Sequence, residues 1–330
     1  MARGHKPRAG SRAFWPRKRA KRIYPRMKHS AELERVGSRI SGTKPIEFAG
    51  YKAGMTHVIF TDTKKKSVAQ GLDVARAVSV IECPPLFVFG IKLYAKDSDG
   101  YKTIGMVWTK DLKKDIVRKF DVPKKKSQKD FEGKLDKVSD IRVLVQTQPR
   151  ESAFGKKKPE VFELDLSGSV NDKWKYAKEK LGKEIDISEV FSEGEYIDAK
   201  AVTKGKGYQG PVKRFGIKVR SRKNKGKMRH VGNLGAYTPA RVLPGKIAEA
   251  GQMGFQTRTE YNKRLIKIGK DGLNVKGGFV NYGEVKKNYV LVEGSVPGHR
   301  KRLVFLRKSF RKPDAKEPVE LKSVHLESQQ

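Results

Sequence analysis

Pro45-Ile-Glu-Phe-Ala-Gly-Tyr-Lys-Ala-Gly-Met-Thr-His-Val-Ile-Phe-Thr-Asp62 sets the fold class. Ile46 and Phe48, then Val58 and Phe60, recur at every second position, the period of a pleated strand with one face on a core. The spacing predicts strands over 46–50 and 57–62, joined by a turn at Tyr51-Lys-Ala-Gly-Met-Thr56. Arg76–Glu82, rich in β-branched residues, reads as a third strand.

Outward from there, Phe87–Tyr94 and Thr103–Thr109 read as a hairpin around the turn-forming Asp97-Ser-Asp-Gly100. Composition shifts at Lys110. Leu112, Ile116 and Phe120, four apart, predict one face of a helix over Asp111–Phe120. A Lys-rich link at 123–126 leads to a helix-prone segment over 129–137, a strand over Ile141–Gln146 and a loop over Pro149–Pro159. Asn171 reads as the cap of a helix with Trp174, Ala177 and Leu181 on one side and Gly182 as its stop. Asp186-Ile-Ser-Glu189 has capping-box spacing ahead of inward-facing Val190 and Phe191. Strands resume at Glu195–Thr203, Tyr261–Gly269, Tyr289–Gly294 and Leu303–Arg307. The expected fold is mainly β with an α/β insertion: about six strands closing into a small barrel, interrupted by long excursions. Residues 313–330 are polar and read as a loosely held tail.

Charge decides the partner. With 74 Lys and Arg against 36 Asp and Glu, the net charge is +38, an excess that repels itself unless anions neutralise it. The imbalance is local. The 50 residues from Ala199 to Ala248 hold 14 Lys and Arg and no acid, and residues 1–31 have none either. In the arm, Pro7, Pro16 and Pro25 interrupt Arg3, Lys6, Arg8, Arg12, Arg17, Lys18, Arg19, Lys21, Arg22, Arg26 and Lys28. Such a segment has no apolar period to bury, so its ordering entropy must be offset by a partner. Phe14, Trp15 and Tyr24 among the arginines suit base stacking and cation–π contact. Nucleic acid is the partner this pattern indicates first.

Other chemistry lacks its parts. Gly205-Lys-Gly-Tyr-Gln-Gly210 matches a dinucleotide fingerprint in letters, but Pro211 and Gly216 disfavour the helix that should follow, and no acid occurs before Glu249. The glycines there let backbone N–H groups approach phosphates, with Lys204 and Lys206 adding charge. The six histidines, His5, His29, His57, His230, His299 and His325, show no metal spacing, and no nucleophile elbow or Walker string occurs. Neither metal nor cofactor nor small-molecule substrate is expected. Cys83 alone excludes an internal disulfide and reads as a small buried hydrophobe at a strand end, in keeping with a reducing, cytoplasmic setting. No stretch has the ~20 apolar residues of a membrane span.

Four segments carry a resemblance: Gly50-Tyr-Lys-Ala-Gly-Met-Thr-His57, Val202-Thr-Lys-Gly-Lys-Gly-Tyr-Gln-Gly210, Gly232-Asn-Leu-Gly-Ala-Tyr-Thr-Pro-Ala-Arg-Val242 and Gly251-Gln-Met-Gly-Phe255. On these the chain resembles the ribosomal protein L3 family over nearly its full length, in the archaeal and eukaryotic form rather than the shorter bacterial one. The resemblance implies a barrel of the kind found in translation proteins, formed by 45–109, 195–204 and 261–310, with an insertion at 110–194. It further implies a basic N-terminal extension at 1–44, a central finger at 205–260 and a tail at 311–330. Extension and finger are expected to enter large-subunit (23S) rRNA, the finger toward the peptidyl transferase region. A role in early subunit assembly and a neighbouring L14-type protein are implied too. Many archaeal and eukaryotic relatives carry Trp at the finger tip where this chain has Tyr237. Besides the arm residues Arg3 to Lys28 and Trp15, the expected rRNA-binding residues are Lys204, Lys206, Lys213, Arg214, Phe215, Lys218, Arg220, Arg222, Lys223, Lys225, Lys227, Arg229, His230, Tyr237 and Arg241. Phe215 and Tyr237 are assigned to packing or stacking, the cations to phosphates. Two rival readings are an RNA-modifying enzyme with a basic cleft and a free translation factor.

Overall fold

The computed structural model describes residues 14–26, 31–40, 42–64, 67–122, 132–238, 240–243, 245–312, 316–317 and 319–328. It is mainly β. In chain order the elements are α1 (Ala31–Gly37), β1 (Glu47–Thr61), β2 (Asp73–Glu82), β3 (Leu86–Asp97), β4 (Gly100–Trp108), β5 (Asp140–Gln146), β6 (Val161–Asp165), α2 (Val170–Lys180) and β7 (Glu184–Ile185). There follow α3 (Ile187–Val190), β8 (Tyr196–Val202), β9 (Gly205–Gln209), α4 (Pro211–Phe215), β10 (Gly251–Gly254), β11 (Thr257–Gly269), β12 (Tyr289–Glu293), β13 (Leu303–Lys308) and β14 (Glu320–Val324).

The first sheet runs β13-β8-β11-β12-β2-β1-β14, and β13 also pairs with β1. Thus β1 is shared: its first half, Glu47–Tyr51, pairs with β13, its second, Val58–Thr61, with β14, and β2 lies along most of its length. The predicted turn at 51–56 does not form. One strand runs through it, with a bulge between Lys52 and Gly54 that bends it. The glycines that suggested a turn serve close approach instead. A Cβ at Gly50 would stand 2.5 Å from Cys83 Sγ, and one at Gly54 2.5 Å from the Phe279 ring. Cys83 is fully buried, and burial pushes its thiol well above the usual range, as suits a packing residue.

The second sheet, β4-β3-β5-β6 with β7 on β3, takes in the predicted hairpin. Residues 86–108 therefore pair with strands of the 110–194 region and not with β1 and β2. A register shift between Val88 and Gly90 changes the parity of β3. Leu86 and Val88 before it share the main core with Ile91 and Leu93 after it, while Phe87 and Phe89 face a smaller cluster with Ile116 and Leu144. Leu112 and Phe120 pack on that cluster beside Ile116, so the predicted apolar face exists. The predicted helix does not: only a single 3-10 turn, Lys114–Arg118, forms there. Likewise the segment read as helical over 129–137 holds a 3-10 turn, Glu132–Lys137, its first residues lying outside those described.

Capping was partly legible. Ser169, not Asn171, caps α2, its hydroxyl accepting from the Asp172 N–H at 3.3 Å, whereas Trp174 and Ala177 are buried and Gly182 takes the left-handed conformation, as expected. The Asp186–Glu189 box is present at α3. β6 and β14 were not foreseen, and β14 shows that the tail is held through Glu320–Val324 against β1.

One buried acid stands out. Glu47, 1% exposed, has no hydrogen-bond partner for either carboxylate oxygen among the described residues. Burial, reinforced by the negative charge of Asp165, pushes its pKa up to about 8 despite Arg307, Lys200 and Arg142. The folded state therefore keeps a proton that the unfolded chain has lost. Stability from this group is complete below the ordinary carboxylate range and falls as pH rises from there toward 8, with a one-proton slope of about 1.4 kcal/mol per pH unit. Denaturant unfolding of Glu47→Gln should show that slope removed and the variant relatively more stable at pH 8 than at pH 5. An unchanged pH profile would rule out a protonated Glu47.

Candidate nucleic-acid interface

Residues Met1–Ile23 and Val202–Arg258 form a compact unit apart from Tyr24–Ala201 with Thr259–Gln330. Its base is a short antiparallel pair, β9 with β10, in which Gly251 faces Gln209 and Gly254 faces Gly205. The fit at the base is tight. Gly254 has φ +70°, and a Cβ there would lie 2.0 Å from the Lys204 carbonyl, so only glycine closes this ring. The Phe255 N–H donates to that carbonyl at 3.1 Å, and the Thr203 N–H donates to the Gln256 carbonyl at 3.0 Å.

Contrary to the sequence reading, a helix does follow Gly210. It is the single turn α4, with Pro211 at its first turn, where no N–H is needed, and Gly216 at φ 69° as its stop. Five residues do not make the crossover helix of a dinucleotide site, and Arg214 uses α4 otherwise. Its guanidinium donates to the carbonyls of Gln252 at 3.3 Å, Glu249 at 2.8 Å and Ala250 at 3.4 Å, tying the turn to β10 and the segment just before it.

The arm is anchored in the same unit. Trp15 stacks on Phe215 with centroids 5.6 Å apart and planes 6° from parallel, and the guanidinium of Arg17 lies 5.3 Å and 4.8 Å from the two ring centroids, that of Arg214 5.1 Å from each. Two like charges share one aromatic pair. Burial first, then the charge of Arg17, lowers the Arg214 pKa. Ala20 N–H donates to the Phe255 carbonyl at 2.8 Å, and the Arg258 guanidinium lies 4.3 Å over Phe14. Phe215 is buried, so of its two expected roles packing is the one it fills. The arm between Phe14 and Ile23 thus has protein partners, which its composition did not reveal.

The expected phosphate contacts fall into three groups. Lys18, Arg19, Lys21, Arg22, Lys204, Lys206, Lys213, Lys218, Arg241 and the whole run Arg222, Lys223, Lys225, Lys227, Arg229 and His230 are exposed, as is Arg26 in the other unit. Among the described residues none of Arg222, Lys223, Lys225, Lys227 and Arg229 forms a salt bridge. Arg17, Arg214 and Arg220 are half-buried. The first two lie on the aromatic stack, and Arg220 braces a loop: its N–H donates to the Met228 carbonyl at 3.0 Å and its Nη2 to the Val231 carbonyl at 2.7 Å, closing the neck of 221–230. Arg3, Lys6, Arg8, Arg12 and Lys28 lie outside the described residues.

Tyr237 is 96% exposed at its turn, where the Ala240 N–H donates back to its carbonyl. Sequence reasoning passed over Tyr208, 77% exposed in β9. An aromatic preceded by Gly207 and two residues from Lys206 was the available signal. Two exposed rings and a row of exposed cations can stack bases and neutralise phosphates. The described residues contain no group of His, Cys, Asp or Glu able to hold a metal ion.

Trp15→Ala should free the arm without unfolding the body. Loss of the stack, about 1 kcal/mol or somewhat more, should speed amide exchange at Ala20 by about tenfold while Val80 is unaffected. Unchanged exchange at Ala20 would show that the stack does not hold the arm.

The model of the family described as ribosomal protein L3 matches residues 1–330. The chain is 46% identical over 325 residues to large ribosomal subunit protein uL3 of Methanothermobacter thermautotrophicus, with 94% of each chain covered. It is 47% identical over 323 residues to that of Methanosphaera stadtmanae and 47% over 318 residues to that of Archaeoglobus fulgidus, again with 94% of both chains covered. The exposed acid-free loop, the stapled arm and this likeness along the whole length agree, and the chain belongs to the ribosomal protein L3 family.

Proposed function

We propose that the chain is a structural constituent of the large ribosomal subunit that holds 23S rRNA with its arm and central loop. The carrying observation is the row Arg222 to Arg229, exposed and, among the described residues, without ion pairs, in a 50-residue stretch that has no acid. Such a surface is neutralised best by closely packed phosphates. The family is one of ribosomal structural proteins, not enzymes.

In finer detail, the pairing path β1-β2-β12-β11-β8-β13 returns to β1, which supports a small six-stranded barrel as the body. The loop at 205–260 is the finger directed toward the peptidyl transferase region, with Tyr237 as its tip aromatic. The arm at 1–44 threads between rRNA helices, and both act early in assembly. The 110–194 insertion and the tail complete the body, and an L14-type protein is its protein neighbour. The family resemblance and the placement of cations and exposed rings support this reading.

Replacing Lys223, Lys225 and Lys227 together by Glu should move the chain from sedimenting large subunits to the free pool. With purified large-subunit rRNA, log Kobs should fall more gently with log salt, by about 0.7 to 0.9 for each phosphate no longer neutralised. Normal assembly of the triple variant with an unaltered salt slope would remove the loop from the account.

A further inference from the structure

A third acid-free segment runs from Gly294 to Pro313, 20 residues that hold seven Lys and Arg and lie wholly in the β-rich unit. Most of these cations are occupied. Arg302 is 4% exposed, Arg307 lies 3.5 Å from Asp198 and Lys308 3.6 Å from Glu195, while Arg311 and Lys312 stand 4.5 Å and 4.7 Å from the ring centroids of Tyr261 and Tyr196. Two remain. Arg300 and Lys301, neighbours between β12 and β13, form no salt bridge among the described residues; Lys301 is exposed and Arg300 half-buried.

The backbone that carries them is fastened to one residue. Lys52, buried at the bulge of β1, donates its Nζ to the Val296 carbonyl at 2.5 Å and its N–H to the Arg302 carbonyl at 3.0 Å, and its own carbonyl accepts from the Lys301 N–H at 2.8 Å. The loop is thus held at both ends. Between them the Arg302 N–H donates to the His299 carbonyl at 3.1 Å and Lys301 has φ 70°, so residues 299–302 make a turn whose second central position is left-handed. Glycine fits that position freely. A lysine there is strained, because its Cβ is crowded in this conformation, so the turn keeps a cation where glycine would relax it. A lysine serving solubility alone could sit at any relaxed position nearby. The Lys301 and Arg302 N–H groups are engaged within the protein, and side-chain charge is what this corner presents to a partner.

We propose that the corner Arg300-Lys301, set in place by Lys52, is a phosphate contact through which the β-rich body holds large-subunit rRNA, separate in sequence from the arm and the acid-free loop. This rests on the function proposed above. Two adjacent cations on a braced turn suit a backbone that carries one negative charge at every nucleotide, and bracing keeps the ordering cost of binding low. The body then makes an rRNA contact of its own. It also gives a reason for a lysine at the strained position of the turn, and for a buried lysine tying that turn to β1.

The experiment measures the salt dependence of binding between the full chain and protein-free 23S rRNA transcript for the parent, Lys301→Gly, Lys301→Arg and the pair Arg300→Gln with Lys301→Gly. The pair should make the slope of log Kobs against log salt shallower by about 0.7 to 1.8, the loss of one or two phosphate contacts, and Lys301→Gly alone by about 0.7 to 0.9. Lys301→Arg, which keeps the charge, should keep the parent slope. In denaturant the midpoint of Lys301→Gly should be no lower than the parent's, since glycine relaxes the turn, so weaker binding by this variant cannot be misfolding. A lower midpoint would show an unstrained turn and overturn the argument for a retained cation. Unchanged slopes for both charge-removing variants would overturn the proposal, and if those variants were nevertheless lost from native large subunits, the corner would belong to an acidic protein neighbour. The variant with Lys223, Lys225 and Lys227 replaced by Glu is measured alongside: if its slope flattens while those of the corner variants do not, the corner fails and the proposed function stands; if none flattens, that function fails as well.

Discussion

Fifty residues without one carboxylate impose the condition on which this protein is built. Coulomb repulsion among 14 cations in that stretch cannot be relieved inside it, so the countercharge has to come from outside it. The fold answers by confining the imbalance. Elsewhere many acids are placed where they pair: Arg142 lies 3.0 Å from both Asp140 and Asp165, and Lys173 lies 2.8 Å from Asp140. Among the described residues the cations of the Arg222–Arg229 row are exposed and form no such ion pairs.

Anchoring makes that surface usable. A basic loop of this length would lose much of its binding energy to ordering if its ends were loose. Here β9 and β10 clamp the ends through glycines that admit no side chain, Arg214 ties α4 across to β10, and Arg220 closes the neck beyond it. The Trp15–Phe215 stack brings the arm into the same unit. Cations that also brace backbone carbonyls spend part of their hydrogen-bonding capacity on the protein, which separates Arg214 and Arg220 from the exposed lysines around them.

Much of this was legible in the letters. Nine of the strands were placed from the letters, and where period-two alternation marks them, as in Val58 and Phe60, it is the trace a half-buried strand leaves. Absence of acids marked the loop and the arm because charge needs no fold to be read. What escaped had nonlocal causes. Gly50 and Gly54 look like a turn until Cys83 and Phe279 are seen against them. Leu112, Ile116 and Phe120 have helical spacing yet reach one cluster from a 3-10 turn and its flanks. β14 is set by its pairing with β1, which its polar sequence does not announce. The partner of Trp15 is 200 residues away in sequence, and no local pattern points to it.

The central claim is that the acid-free loop is protected from water only when phosphates surround it. Amide hydrogen exchange over residues 216–250 tests this directly, in the free chain and on large-subunit rRNA. The account predicts exchange close to that of an unprotected chain when free, with the neck at Arg220 somewhat slower, and strong slowing throughout the loop on rRNA. Slow exchange along the whole loop in the RNA-free protein, or no slowing on rRNA, would contradict it.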